Sequence, residues 1–256
     1  MFETATLSAP GGRPENEDAM GYRMVESAGC WALADGLGGH RGGEVASRLA
    51  VDAAISSFLE DPSITKEALN THMVQGNRAL LEREAAEPEL MHMRTTMVLL
   101  IASPEAAMWA HAGDSRLYWF RDGKIREQTR DDSVPQRLVD AGEISADQIR
   151  FHEDRSRLLN SLGTREQVSA SHGEMPDAPR AGDAFLLASD GFWEGVTEAE
   201  MEQDFGAASS KGPSSEAPSS EEWIGRMQSR VKQRAAADND NYSAIAVRVL
   251  KKKGRA

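Results

Sequence analysis

Cysteine, long apolar runs and basic charge are all scarce in this sequence, and each scarcity excludes a class of protein. The 256 residues contain one cysteine, Cys30, so the chain cannot build an internal disulfide framework. No apolar run approaches the roughly 18 residues that a membrane-spanning helix needs. Lys and Arg number 29 against 41 Asp and Glu, a formal net charge of -12, whereas nucleic-acid binders present a basic face. We therefore expect neither a membrane nor a nucleic acid as a partner.

The chain length and the N-terminal segment bear on organisation and location. A chain of 256 residues can bury a large core and suits one large domain or two small ones. We expect a single domain over residues 1–256, and a monomer. The segment MFETATLSAPGG has neither the basic start nor the apolar centre of a secretory signal. Together with the lone cysteine among apolar neighbours, this predicts a cytoplasmic protein.

Apolar segments predict strands and helices that are partly segregated along the chain. The predicted strands are 30–35, 95–102, 106–114, 116–125, 183–190 and 243–250. The predicted helices are 43–60, 65–85 and 220–236. Strands between residues 106 and 125 are too close in sequence for crossover helices, so we expect them to be antiparallel. This segregation favours α+β layers over a doubly wound sheet.

A high density of glycine follows the first predicted strand. Five glycines fall within the eight residues 36–43, directly after Asp35. Each glycine loses more backbone entropy on folding than another residue would, so a simple turn has no need of so many. The pattern indicates that another group sits close to this backbone.

Five aspartates stand at the boundaries of the apolar segments: Asp18, Asp35, Asp114, Asp190 and Asp240. Because strand ends open onto one rim of a sheet, these carboxylates can converge there. Converging carboxylates repel one another unless a cation neutralises them. Mg²⁺ and Mn²⁺ prefer such oxygen ligands. Any one of these residues alone is better explained as a turn residue or helix cap, so the repetition is what indicates a metal site.

Other sites with similar residues are excluded by spacing. The segment 238–249 has the alternating oxygens of a calcium loop, but Ser243 and Val249 stand where glycine and glutamate are needed. The segment 36–41 has Arg41 in place of the third glycine of a dinucleotide fingerprint. A serine nucleophile in Gly113-Asp114-Ser115 would need a downstream histidine, and the last one is His172.

The motifs taken together resemble those of the metal-dependent Ser/Thr protein phosphatases of type 2C, in their bacterial form. They match in order from about residue 5 to residue 250. The matching segments are RPENED, ADGLGGHRGGEVAS, RTTMVLL, HAGDSRLY, LASDGFWEGV and DNYSAIAV. The resemblance implies an α+β fold, a four-layer α-β-β-α sandwich with two central antiparallel sheets. It also implies hydrolysis of phosphoserine and phosphothreonine with a water activated by two, or in some bacterial members three, Mn²⁺ or Mg²⁺ ions.

Site roles are carried over by motif. Asp35 would bridge two ions, and Gly36 would offer one of them its backbone carbonyl. Asp190 and Asp240 would hold the second ion, while Asp18 and Glu17 would act mainly through bound waters. Asp114 with Asp190 matches the ligands of a third ion, and Arg13 matches the arginine that binds the substrate phosphate.

The resemblance also extends to a flap and to partners. Residues 129–164 resemble the bacterial flap beside the site, with Asp131-Asp132-Ser133 where the family has Asp-His-Ser; an ordinary helix-turn-helix surface is the alternative. Residues 206–222 are rich in Ser, Pro and Ala, which predicts a mobile surface loop. The implied partners are phosphorylated Ser/Thr proteins and a bacterial Ser/Thr kinase that the enzyme opposes. A catalytically silent relative acting as a binding module is the other possibility, but such relatives lose metal aspartates that this chain keeps.

His40 is the candidate general acid, since Leu37 stands where eukaryotic relatives carry a histidine. If His40 protonates the leaving alkoxide, His40→Ala should slow a phosphothreonine peptide about 10²-fold more than an aryl phosphate, which needs little protonation. Because Leu37 already replaces the usual acid, we expect the two substrates to change together instead. Steady-state rates of the wild type and His40→Ala on both substrates decide this, and a peptide-selective loss would contradict our expectation.

Overall fold

The computed structural model describes residues 1–26, 28–37, 42–164, 168–206 and 217–251. Strands in this part of the chain are β1 (Phe2–Ala9), β2 (Asp18–Val25), β3 (Ala28–Leu37), β4 (Arg94–Thr95), β5 (Met97–Ala102), β6 (Ala107–Ala112), β7 (Arg116–Arg121), β8 (Lys124–Gln128), β9 (Ser171–Glu174), β10 (Ala184–Ala188) and β11 (Tyr242–Val249). The α-helices are α1 (Gly42–Glu60), α2 (Lys66–Ala86), α3 (Val134–Asp140), α4 (Asp190–Trp193), α5 (Glu198–Gly206) and α6 (Ser220–Arg234). Short 3₁₀ helices cover Pro88–Leu90 and Ala146–Phe151.

The strands form two antiparallel sheets. The first has the order β1-β11-β10-β7-β8, and the second has the order β2-β3-β5-β6-β9 with β4 paired to the end of β3. Helices α1 and α2 pack on the outer face of the second sheet, whereas α5 and α6 pack on the outer face of the first. The inner faces of the two sheets pack against each other. The expected four-layer α-β-β-α sandwich is confirmed. Among the described residues, no helix is long and apolar enough to cross a membrane.

Large apolar side chains fill each of the three interfaces between layers. Trp31, Trp109 and Phe185 lie between the sheets. On the outer side of the first sheet, the Trp223 ring lies edge-on to Phe120 at 5.0 Å between centroids. Central strands such as β5 and β10 are therefore buried on both faces, which explains their continuous apolar sequences.

The chain changes sheets between β6 and β7. We expected the strands between residues 106 and 125 to be antiparallel, and every pairing of β6, β7 and β8 is antiparallel. Strands β7 and β8 are neighbours joined through the Asp122-Gly123 turn. Strand β6 pairs instead with β5 and β9, because Gly113–Ser115 carries the chain across to the other sheet. This crossing places Asp114 at the rim where the two sheets meet.

The predicted loop 206–222 is only partly described. Residues 207–216 lie outside the described residues, and Ser220–Glu222 form the first turn of α6 rather than a loop. Ser219 caps this helix, because its Oγ accepts a hydrogen bond from Glu222 N while the Glu222 carboxylate accepts one from Ser219 N.

One buried and one partly buried ion pair hold residues 129–164, the predicted flap, against the sandwich. Arg116 donates to both carboxylate oxygens of Asp131 at 2.7 and 2.8 Å, and both side chains are buried. Arg150 donates to Glu198 Oε1 at 2.6 Å from the 3₁₀ helix of the flap. Since breaking a buried pair leaves an uncompensated charge, these contacts fix the flap beside the strand ends.

Candidate metal centre

Two of the predicted ligands face each other across strands of the second sheet. Asp18 begins β2 and Asp35 lies near the end of β3, and the antiparallel register pairs them directly. Asp18 is buried, and its Oδ2 accepts a hydrogen bond from Ser189 Oγ at 2.9 Å. Because Ser189 directly follows β10 of the first sheet, this contact joins the two sheets at the site.

Asp114 and Asp190 reach the same place from the other side. Asp114 is buried in the crossing between the sheets, and Asp190 begins α4 just after β10. Asp190 lies close enough to Asp35 and Asp114 for its charge to raise the pKa of both. Four predicted ligands therefore converge at one rim of the sandwich.

Asp240 and Arg13 stand on the solvent side of this rim. Arg13 Nη2 donates to Asp240 Oδ2 at 3.0 Å, and the two side chains are 54% and 49% exposed. Both line a cavity of about 420 Å³ together with Asp35, Gly36 and Asp190. An exposed ion pair stabilises by only about 0–1 kcal/mol. Arg13 can therefore exchange Asp240 for an anionic ligand at small cost.

Burial and mutual repulsion raise the pKa values of these carboxyl groups. Burial is the main cause of the raised pKa of Asp18, about 7, and the charges of Asp190 and Asp240 add to it. Burial and then the charge of Asp190 hold the pKa values of Asp35 and Asp114 well above their usual range. The pKa of Asp190 is raised by burial and then by Asp240. The fold thus holds together carboxylates whose charged forms a cation would stabilise.

Asp18 provides the test of whether the residues fit a metal. Its Oδ1 is buried and has no hydrogen-bond partner, which is unfavourable for a carboxylate unless a cation or bound water satisfies it. Within the described ranges, no group of three or more Asp, Glu, His or Cys side chains could hold an ion alone. Mg²⁺ keeps several waters and often takes only one or two carboxylates. The residues therefore fit ions whose shells are completed largely by water.

The glycines after Asp35 allow two backbone segments to approach closely. Gly36 N donates to Glu17 O at 3.1 Å, and a Cβ at Gly36 would lie 2.1 Å from Gly43 O. A Cβ at Gly43 would lie 2.6 Å from the carboxyl carbon of Glu17. The start of α1 therefore packs directly on the strand end that carries Asp35. His40, Gly38 and Gly39 lie outside the described residues.

Two polar residues that sequence analysis missed orient Asp35 and Asp18. Thr96 Oγ1 accepts a hydrogen bond from Asp35 N at 3.0 Å and shares another with Ser115 Oγ at 2.7 Å. Ser189 Oγ donates to Asp18, as described above. Both are hydroxyl residues at the boundary of an apolar strand, and that position is the signal that could have identified them.

Asn241 fixes the segment that carries Arg13. Its Oδ1 accepts from Glu17 N at 2.8 Å, and its Nδ2 donates to the carbonyls of Pro10 and Glu15 at 2.8 and 2.9 Å. In the sequence, the only sign of this role is that Asn241 directly follows Asp240.

Trp193 and Asp132 hold the backbone on both sides of Asp114. Trp193 Nε1 donates to Asp114 O at 2.9 Å from a buried ring. Gly113 N donates to Asp132 Oδ2 at 3.2 Å, and Asn160 Nδ2 donates to the same oxygen at 2.9 Å. Asp132 stands where the family has histidine, so in this chain a carboxylate links the flap to the turn that carries Asp114.

Comparison with known proteins agrees with this fold. A family model described as protein phosphatase 2C matches residues 12–234. The serine/threonine protein phosphatase PstP of Mycobacterium tuberculosis is 36% identical over 189 residues, covering 73% of this chain and 35% of that protein. The serine/threonine phosphatase stp of Listeria innocua is 32% identical over 197 residues, covering 75% of this chain and 77% of that protein. The match thus spans about a third of the mycobacterial relative.

A solved structure gives the same result for the fold. The catalytic domain of PstP, solved in complex with 2 manganese ions, superposes with a TM-score of 0.81 at 28% identity, covering 98% of this chain and 99% of that one. The chain belongs to the protein phosphatase 2C family.

The close approach at Gly36 gives a test of this packing. Gly36→Ala should lower the free energy of unfolding by about 1–3 kcal/mol, the usual range for overpacking. Gly225→Ala is the matched control, because a Cβ there meets nothing within 4 Å in the helix α6. That change should raise the free energy of unfolding by about 0.5–1 kcal/mol. Urea unfolding measures both, and equal values for the two variants would contradict the packing described here.

Proposed function

We propose that the protein is a metal-dependent phosphoprotein phosphatase that hydrolyses phosphoserine and phosphothreonine. The observation that carries this proposal is the convergence of Asp18, Asp35, Asp114 and Asp190 at one rim, beside a cavity that Arg13 also lines. When bound, two Mn²⁺ or Mg²⁺ ions would supply a nucleophilic water near neutral pH and neutralise the phosphate. The complex of PstP with 2 manganese ions supports this choice of metal.

The chain's own residues divide the work of holding the ions. Asp35, which is paired with Asp18 by strand register and lies near Asp190, would hold both ions. The unpartnered Asp18 Oδ1 is suited to accept from a metal-bound water. The full set of proposed ligands is Asp18, Asp35, Gly36, Asp114, Asp190 and Asp240, with Asp114 and Asp190 serving a third ion.

Arg13 would bind and orient the phosphate. Its guanidinium lines the same cavity as the carboxylates and is half exposed, so it can donate two parallel hydrogen bonds to phosphate oxygens. Fixing the phosphate in this way sets the line of attack and lowers the entropic part of the barrier. The hydrogen bonds of Asn241 keep the Arg13 segment in place for this role.

The partners follow from the same chemistry. The proposed substrate is a protein phosphorylated on Ser or Thr, and bacterial relatives named as serine/threonine phosphatases support this substrate class. We further propose that the enzyme opposes a bacterial Ser/Thr kinase and acts as a monomer.

Activity should depend on a divalent ion of the right size. A phosphothreonine peptide should be turned over with Mn²⁺ or Mg²⁺, and excess EDTA should abolish turnover. Ca²⁺ should not restore it, because its longer bonds and variable geometry place ligands poorly for the reaction. Phosphate release measures the rate, and equal turnover in excess EDTA would refute the metal mechanism.

Substitution should separate metal binding from phosphate binding. Asp190→Ala should weaken Mn²⁺ binding and lower kcat by at least about 100-fold. Loss of a residue that only hydrogen-bonds to a metal ligand already costs up to about 100-fold, and Asp190 is a proposed ligand itself. Arg13→Ala should raise KM at least roughly 10-fold, the lower end for loss of charge-assisted hydrogen bonds, and should not weaken Mn²⁺ binding, because it removes only a competing partner of Asp240.

Steady-state kinetics and Mn²⁺ titration calorimetry distinguish these two effects. Arg23→Ala, which removes an exposed arginine of β2, is the control and should change neither quantity. Near wild-type turnover of Asp190→Ala at saturating Mn²⁺ would show that Asp190 is not a ligand.

A further inference from the structure

A groove continues from the candidate metal centre along the flap. It has a volume of about 510 Å³ and shares Arg13, Ser156, Asp190 and Asp240 with the cavity of the centre. When a substrate places its phosphorylated side chain in the cavity, the residues on either side of that side chain must lie on the surface around the cavity. The groove is therefore continuous with the proposed substrate site and suited to the residues that flank the phosphoresidue.

Phe151 stands out on this groove because its ring is not buried. It is 84% exposed, although its neighbours Ile149 and Arg150 are 3% and 8% exposed. A single exposed apolar residue elsewhere on a surface needs no explanation. Here the residue lines a groove that is continuous with the proposed substrate site.

The backbone around Phe151 is firmly held, so the ring is presented rather than loosely attached. Ser145 and Gln148 form a capping box at the start of its 3₁₀ helix. Arg150 donates to Glu198 Oε1 at 2.6 Å, and its guanidinium lies 5.2 Å from the Trp193 ring centroid. Because the backbone is already ordered, only the side chain of Phe151 has to be ordered when a ligand packs on its ring.

The charged residues of the groove select a flanking substrate residue less well than the Phe151 ring does. The lining carries four arginines and four carboxylates. Arg150 pairs with Glu198, Arg155 lies 3.0 Å from Glu194, and Arg234 lies 2.5 Å from Glu200. Because these arginines already have acidic partners, an acidic flanking residue would have to displace one of them.

From this arrangement we propose that the groove binds the segment of the phosphopeptide next to the phosphoresidue, and that Phe151 selects an aromatic or large apolar side chain there. The inference rests on the proposed phosphatase function and assigns it a substrate class. The ring acts by contact with the substrate and takes no part in the chemistry at phosphorus.

A peptide series tests this selection. The probes are short phosphothreonine peptides that carry Phe, Ala or Asp at each flanking position in turn, together with an aryl phosphate that has no flanking residues. The wild-type enzyme should prefer Phe over Ala at one flanking position by roughly 10-fold in kcat/KM, the effect of burying part of an aromatic ring. Most of this preference should lie in KM.

Three variants identify the residue responsible. Phe151→Ala should abolish the preference, and Phe151→Leu should keep part of it because an apolar side chain remains. Leu59→Ala removes a half-exposed leucine at the far end of α1 and should leave the preference and both activities unchanged. Far-ultraviolet circular dichroism of each variant confirms that the fold is retained.

The outcomes separate this inference from the proposed function. The inference would be overturned, and the phosphatase function would stand, if both substrate types are turned over in any of three ways. These are no flanking preference, a preference for Asp, or a preference for Phe that persists in Phe151→Ala. An enzyme that turns over neither the aryl phosphate nor any peptide with Mn²⁺ would overturn the proposed function, and the inference with it.

Discussion

The repulsion among buried carboxylates at the rim between the two sheets is the constraint on which this site depends. Asp18 and Asp35 are paired by strand register in the second sheet. Asp114 lies where the chain crosses from β6 to the first sheet, and Asp190 lies just after β10 of the first sheet. Charged groups held together away from water are costly unless a cation or protons neutralise them. The raised pKa values of Asp35 and Asp190, caused first by burial and then by neighbouring carboxylates, reflect that cost.

The surrounding structure keeps the carboxylates from moving apart. The hydroxyl of Thr96 holds the Asp35 backbone, and the indole of Trp193 holds the Asp114 backbone. Arg116, whose guanidinium carbon lies 3.4 Å from the Trp193 ring centroid, ties the same region to Asp131 of the flap. The flap and the metal centre therefore share one supporting network, which explains how a groove on the flap can lie at a fixed position beside the site.

Much of the fold could be predicted because interior strands are continuously apolar. The strands 30–35, 183–190 and 243–250 correspond to the interior strands β3, β10 and β11. The strands β1, β2 and β9 went unrecognised, and all three lie at sheet edges where half-exposed residues weaken the pattern. The change of sheet after β6 was missed for a different reason, since local sequence does not say which strand is a neighbour.

The candidate site was predictable to the same extent. Its aspartates carry a local signal, since most of them stand where an apolar strand ends or begins. Their supporting contacts do not, because they join residues 61, 171 and 224 positions apart. Phe151 carries no local signal either, because its role depends on the exposure of the ring and on the groove it lines.

The most direct test of the account is Mn²⁺ binding by the metal-free protein, measured by calorimetric titration together with the temperature of unfolding. If the carboxylates are held together for cations, the chain should bind at least two Mn²⁺ ions. The unfolding temperature should then rise with Mn²⁺ concentration, because ligand binding to the native state stabilises it. Absence of binding, with an unfolding temperature that does not respond to Mn²⁺, would contradict the account.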